Sequence, residues 1–284
     1  MNTKFDRRRK YYMILDCETA TLPFANKYSG RAKQKISIAK PLIYDIGWQV
    51  VDRQGRVYAK RKFLITEIFS VPQVFNTAYY SEKRPIYLEM LRKGEIDLVN
   101  WKTATEYLEY DLQFVESVGA YNSMFDYKKA IPFTELYINK LYSPDYYEWE
   151  QEQQEICDLM VQDMYRKDES KTFDGECFRF HRTAYPMFDL WGLACEYILN
   201  CDEYREMCQA YGWITASGKY YKTSAETAYR FVKGDIEFVE AHTALADAEI
   251  ETELFAEIVK RSKNKYTMGI QYFPFRMVGK VVDA

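Results

Sequence analysis

The chain has 284 residues, 48% of them hydrophobic and 29% charged, and a formal net charge of -3. That balance excludes a disordered or fibrous chain and a protein drawn to long duplex by a global positive field. The length predicts one domain over 1–284 that carries an insertion, rather than two full domains.

Along the chain, the basic opening MNTKFDRRRKYY meets Asp16 and Glu18 before any apolar run long enough for a leader. No later stretch of about 18 apolar residues follows, so the reading is a cytoplasmic protein with no membrane partner. The cysteines, at 17, 157, 177, 195, 201 and 208, show neither CxxC nor zinc-type spacing and read as reduced thiols. Most of the 26 tyrosines are expected in core or half-buried strand positions, with a minority free to stack on unpaired bases.

Tyr11 to Leu15 is an apolar run that breaks into Asp16-Cys17-Glu18-Thr19, which predicts a buried strand with acidic residues at its end. Leu42 to Asp52 and Val57 to Ile65 read as two more strands, and Gly55 between them suits a hairpin turn. Residues 101 to 117 show helical periodicity, Ser117 to Asn122 is strand-like, and Ser123 to Leu136 turns helical again. A strand feeding a helix in this way predicts a mixed α/β core.

Between 137 and 185 the pattern gives way to aromatic and acidic text, read as an insertion with a helix near 145 to 166. A helix is expected from Asp189 to Leu199, a small hairpin turning at Ser217-Gly218, and a capping box from Thr223 to Glu226. The strongest helix runs from about Thr243 to Arg261, with Leu245, Ala248, Thr252, Phe255 and Val259 at three- and four-residue steps. Residues 263 to 284 form a C-terminal extension containing Phe273-Pro274-Phe275, expected to pack on the body.

Three acidic segments carry the candidate chemistry. Asp16 and Glu18 lie two apart in a strand and so point to one side. Two like charges held together call for neutralisation, which a divalent cation supplies through hard oxygen ligands. Asn122 and Asp126 lie four apart where a strand gives way to a helix, so they can share a helical face. His242, one of two histidines in the chain, falls just before the last helix, whose second turn is expected to carry Asp247. A loop histidine beside a rigid helical carboxylate suits a base working next to a metal. The other histidine, His181, sits among Phe178, Arg179, Phe180 and Arg182 and reads as part of a solvated basic loop.

Each segment alone has a plain structural explanation, but their order and spelling resemble the three motifs of the DEDDh exonuclease superfamily. That group includes the proofreading subunit of bacterial DNA polymerase III, RNase T and oligoribonuclease. Asp16, Cys17, Glu18 and Thr19 match the family's Asp-x-Glu-Thr, Asn122 to Asp126 its middle Asn-x-x-x-Asp, and His242, Asp247 and Ala248 its closing motif. Tyr44-Asp45-Ile46-Gly47 is similar to the family's second strand. Thr243 stands where a sister branch has Tyr, which indicates the His branch. The chain departs in two places: Ala20-Thr21 follows the first motif instead of a Thr-Gly spelling, and the gap from Asp126 to Asp247 is long for the family.

The resemblance implies a ribonuclease H-like mixed central sheet flanked by helices, with the aromatic-rich insertion between the second and third motifs. It implies a 3′-to-5′ exonuclease that releases nucleoside 5′-monophosphates, DNA being the favoured substrate. Two divalent cations, Mg²⁺ or Mn²⁺, would lie roughly 4 Å apart. Asp16 would bridge them, Glu18 and Asp247 would complete the first, and Asp126 would hold the second. His242 would be the general base, with Thr19, Leu22 and Asn122 contacting the terminal nucleotide. The implied partners are single-stranded DNA or RNA 3′ ends, with a DNA polymerase or replication protein as a further candidate. The alternatives are a ribonuclease or short-oligonucleotide nuclease of the same family, and a non-catalytic nucleic-acid-binding or scaffold protein on the same fold.

Overall fold

In the computed structural model, residues 5–6, 8–21, 41–142, 177–180, 183–263 and 273–281 are described. The first strand, β1 (Tyr12–Thr21), sets the plan of the molecule. Its side chains alternate between two cores. Met13, Leu15 and Cys17 pack with Trp48, Phe63, Trp101 and Tyr127, whereas Tyr12 and Ile14 pack with Phe188, Leu254 and Phe255. By the same alternation Asp16 and Glu18 continue the Tyr12 and Ile14 face, so one face of one strand changes from apolar to acidic along its length.

β1 holds Asp16 and Glu18 in its strand, as their predicted shared side requires, and continues beyond them to Thr21. The reason lies in its partner. β2 (Pro41–Val51) pairs antiparallel with β1 along the whole length, from Tyr12 opposite Val51 to Thr21 opposite Pro41, with a bulge between Glu18 and Thr19. Thr77 then fixes the far end, its hydroxyl accepting the Thr21 amide at 2.7 Å and donating to the Thr21 carbonyl at 2.8 Å.

β2 joins β3 (Val57–Ile65) by the expected hairpin, with Gly55 at φ 73° and the Asp52 carboxylate accepting the Gln54 and Arg56 amides. β4 (Asp97–Val99), β5 (Ser117–Ala120), β6 (Cys177–Phe180) and β7 (Thr183–Asp189) complete a mixed seven-stranded sheet in the order β4-β3-β2-β1-β5-β7-β6. β1 runs parallel to β5, and β5 to β7.

One face of the sheet carries α1 (Thr66–Phe69), α2 (Pro72–Phe75), α3 (Arg84–Lys93), α4 (Trp101–Leu112) and α5. The last is a continuous run of Ser123–Phe125, a π-turn over Asp126–Ala130, and Ile131–Leu141. The other face carries α6 (Leu190–Ala194, continued by a π-turn to Leu199), α7 (Asp202–Tyr211), α8 (Ala225–Lys233), α9 (Ala244–Arg261) and α10 (Phe275–Val278). Helices on both faces explain why β2 is buried at every position.

Three of the shifts from expectation concern helix ends. α4 stops at Leu112, five residues short of the expected limit, because the Glu116 amide already donates to the Tyr11 carbonyl where β1 and β5 begin to pair. The cap of α8 is Ser224, whose hydroxyl accepts the Thr227 amide; Thr223 instead accepts the Trp191 indole N–H. Asp247 falls in the first turn of α9, not the second. The hairpin at Gly218 is present, with Ile214 bridged to Tyr221, and the C-terminal extension packs through Val278 and by stacking Phe275 on Trp191. The expected helix at 145 to 166 lies outside the described residues. Among the described residues no helix is long and apolar enough to cross a membrane.

One glycine decides how close α9 comes to the sheet. A Cβ at Gly47 would run into the backbone of Ala244 and Leu245 in the first turn of α9. Gly47→Ala is therefore expected to destabilise the fold by about 1 to 3 kcal/mol through overpacking. Denaturant unfolding measures this, and a variant as stable as the wild type would show that α9 can move away at no cost.

Candidate functional site

The acidic face of β1 meets the N-terminal turn of α9. Asp45, paired with Glu18 across the β1–β2 ladder, fixes that junction. One oxygen of its buried carboxylate accepts the Ala244 amide at 3.0 Å and the Tyr87 hydroxyl at 2.9 Å. This satisfies an amide that a helix start leaves without an intrahelical partner and sets α9 against the sheet, so Asp247 in its first turn faces Asp16 and Glu18. From the opposite side, β5 delivers α5. Asp126 is buried at the head of its π-turn, and Glu251, one turn beyond Asp247 on α9, accepts the Tyr121 amide at 3.1 Å.

The result is a well of carboxylates that act on one another. Burial first, then Glu240 and Asp45, pushes Asp16 up to about 8. Burial, then Asp16 and Asp247, pushes Glu18 up to about 10. Burial, then Asp16 and Glu240, pushes Asp247 up to about 9. Asp126 and Glu251 are also held well above the ordinary carboxyl range, by burial and then by Asp16. Two buried carboxylate oxygens here, Oδ1 of Asp45 and Oδ1 of Asp247, have no hydrogen-bond partner among the described residues. A buried polar atom left unpaired is costly, and hard carboxylate oxygens without donors are what a Mg²⁺- or Mn²⁺-type ion accepts.

Atoms of Glu18, His242 and Asp247 that can bind a metal all lie within 4.8 Å of one another. His242 Nδ1 is 3.6 Å from a Glu240 oxygen and 4.0 Å from Asp247 Oδ2. Burial, and then the charge of Lys83, lowers the imidazole's affinity for a proton, so at neutral pH the ring is free to accept one.

The structure thus brings Asp16, Glu18, Asp126, Asp247 and His242 together from three separate segments. Thr19 is half-buried beside them at the bulge of β1. Asn122 stands exposed at the N-cap of α5 while Asp126 is buried, so the two do not share a face; the link between them is the Asn122 carbonyl, which accepts the Asp126 amide at 3.4 Å. Leu22 and His181 lie outside the described residues. Sequence reasoning missed Asp45, Glu240 and Glu251. Of these, Glu251 was within reach, since it follows Asp247 by four and shares its helical face.

These carboxyls give the fold a signed dependence on pH. Their folded-state pKa values lie above those of the unfolded chain, so the protonated forms stabilise the fold fully below about pH 4. That contribution is lost as pH rises through about 8 at Asp16, 9 at Asp247 and 10 at Glu18. In chelator, the melting temperature is expected to fall between about pH 5 and 9, and Mg²⁺ or Mn²⁺ to restore it increasingly as protons leave. Paired thermal melts would show this; a cation effect that shrank with rising pH would contradict it.

No protein-family model matches the chain, and no curated protein matches it.

Proposed function

We propose that the chain is a metal-dependent 3′-to-5′ exonuclease of ribonuclease H-like architecture, working at the carboxylate well. The observation that carries this reading is the convergence of Asp16, Glu18, Asp126 and Asp247 on one another beside His242, with Asp247 Oδ1 buried and unpartnered among the described residues. The motif spelling named these five side chains, and the mixed sheet flanked by helices accommodates the architecture that the motifs imply.

Divalent cations, when bound, supply Lewis acidity at the phosphate and charge neutralisation. Asp16, Glu18, Asp126 and Asp247 would hold them, with the backbones of β1, α5 and α9 keeping the carboxylates in place. Asp45 orients the α9 end of that set. His242 accepts the proton of the attacking water, a role that its lowered proton affinity suits. Net charge -3 fits a substrate gripped locally at one end rather than along a duplex. Beside the well, Tyr79 is 86% exposed and offers a face on which an unpaired base can stack.

The test is incubation with 5′-labelled single-stranded DNA and RNA in Mg²⁺ or Mn²⁺, with and without chelator. A ladder shortening from the 3′ end, abolished by chelator, is expected on DNA, with RNA and di- or trinucleotides reporting the alternative substrates. Intact substrate in every tube would reject the enzyme and favour a nucleic-acid-binding protein.

A further inference from the structure

His242 has a backbone that side-chain-bearing residues seldom adopt, with φ at 51° in the left-handed region. Part of what keeps it there comes from a segment 158 residues away in sequence. The Lys83 ammonium donates to the Ala241 carbonyl at 2.6 Å, directly before the histidine. The Tyr80 ring lies flat against the imidazole, with centroids 4.4 Å apart and planes 17° from parallel. Lys83 Nζ is also 4.5 Å from the centre of the Tyr80 ring, so cation, phenol and imidazole form one assembly.

On its other side the histidine segment is tied to α8 and α9. Arg230 donates to the Phe238 carbonyl at 2.7 Å, Glu226 accepts the Glu240 amide at 3.2 Å, and the Asp247 carboxylate accepts the His242 amide. These ties hold the backbone on either side of the ring. Among the described residues, it is the Tyr80 ring that covers the face of the imidazole and Lys83 that binds the carbonyl preceding it, while Glu240 and Asp247 approach the ring at Nδ1.

We propose that Tyr80 and Lys83 are positioning residues that clamp the His242 imidazole over the carboxylate well. The catalytic consequence rests on the exonuclease reading; the clamp itself does not. The short turn Ser81–Lys83 between α2 and α3 thereby becomes part of the active centre, although it contributes no group that reacts. A base misplaced by about 1 Å can cost 10²-fold in rate, which sets the scale of the effect.

Two measurements test it. The chain has only two histidines, so two imidazole C2–H resonances are expected in a proton NMR spectrum, with His242→Ala identifying the one that belongs to position 242. Stacking on Tyr80 should displace that resonance upfield, and Tyr80→Leu should abolish the displacement. In the nuclease assay, Tyr80→Leu and Lys83→Met should each lower kcat by about 10- to 10²-fold with KM little changed. Tyr80→Phe, which keeps the stacked face, should recover most of the rate. Neither Tyr80→Leu nor Lys83→Met should reduce the rate further when His242 is already Ala, since residues acting through one group are not additive. An unshifted resonance in the wild type, or losses that multiply with that of His242→Ala, would overturn the clamp. If the wild type cuts no nucleic acid, the exonuclease reading fails and the resonance alone decides the clamp.

Discussion

Asp247→Asn is expected to reduce metal-dependent hydrolysis by at least about 10³-fold while leaving the cation-free protein at least as resistant to heat as the wild type near neutral pH. The two halves have one cause. Asp247 is buried, is pushed up to about 9 by burial and then by Asp16 and Glu240, and among the described residues leaves Oδ1 without a donor. Asparagine keeps nearly the same shape and an oxygen that can still accept the His242 amide, but is neutral without taking up a proton, which the cation-free Asp247 must do near neutral pH. Without a cation the variant is spared that cost of protonation; with a cation it lacks a ligand and disturbs the charge balance of the site.

Asp189 provides the contrast within the same molecule. It is equally buried, yet one oxygen accepts the Ser123 amide at 3.1 Å and the other the Gly192 amide at 3.0 Å. That carboxylate is satisfied by the fold, whereas Asp247 is not, and only the unsatisfied one calls for a ligand from outside. Thermal melts in chelator and in Mn²⁺, beside a 3′-end digestion assay, separate the halves of the prediction. Retained cation-dependent cleavage in Asp247→Asn would remove the residue from the site, and a large drop in cation-free stability would make its role structural.

What the sequence disclosed, and what it hid, follows from how far each feature depends on tertiary partners. The β2–β3 hairpin was legible because Gly55 and the flanking apolar runs are local signals. The phase of α9 was legible from its apolar spacing, and the shared side of Asp16 and Glu18 from strand geometry alone. The extension of β1 to Thr21 was not, because it depends on β2 from Pro41 onward pairing with it and on Thr77 closing its end. Asp45 reads as an ordinary strand residue until its register opposite Glu18 and its bond to Ala244, 199 residues on, are known. Tyr80 and Lys83 belong to a segment with no catalytic spelling, and only the fold sets them against His242.

His242→Ala is expected to slow hydrolysis by about 10² to 10⁴ and to keep most of the melting-temperature rise produced by Mg²⁺ or Mn²⁺. The geometry allows two roles for the ring: its nitrogens lie close enough to Glu18 and Asp247 to join them as a ligand, and its lowered proton affinity equips it as a base. The roles part in what the variant loses. A base can be removed with the carboxylates still holding their ions, because Asp16, Glu18, Asp126 and Asp247 supply the hard oxygen donors that Mg²⁺ prefers over imidazole. A ligand cannot, and its loss would lower rate and cation-dependent stabilisation together. The expected split, a slow enzyme that still binds its ions, follows from the charge carried by the carboxylates and from the neutral histidine at their edge. An unchanged rate would take His242 out of the mechanism, and joint loss of rate and stabilisation would make it a ligand.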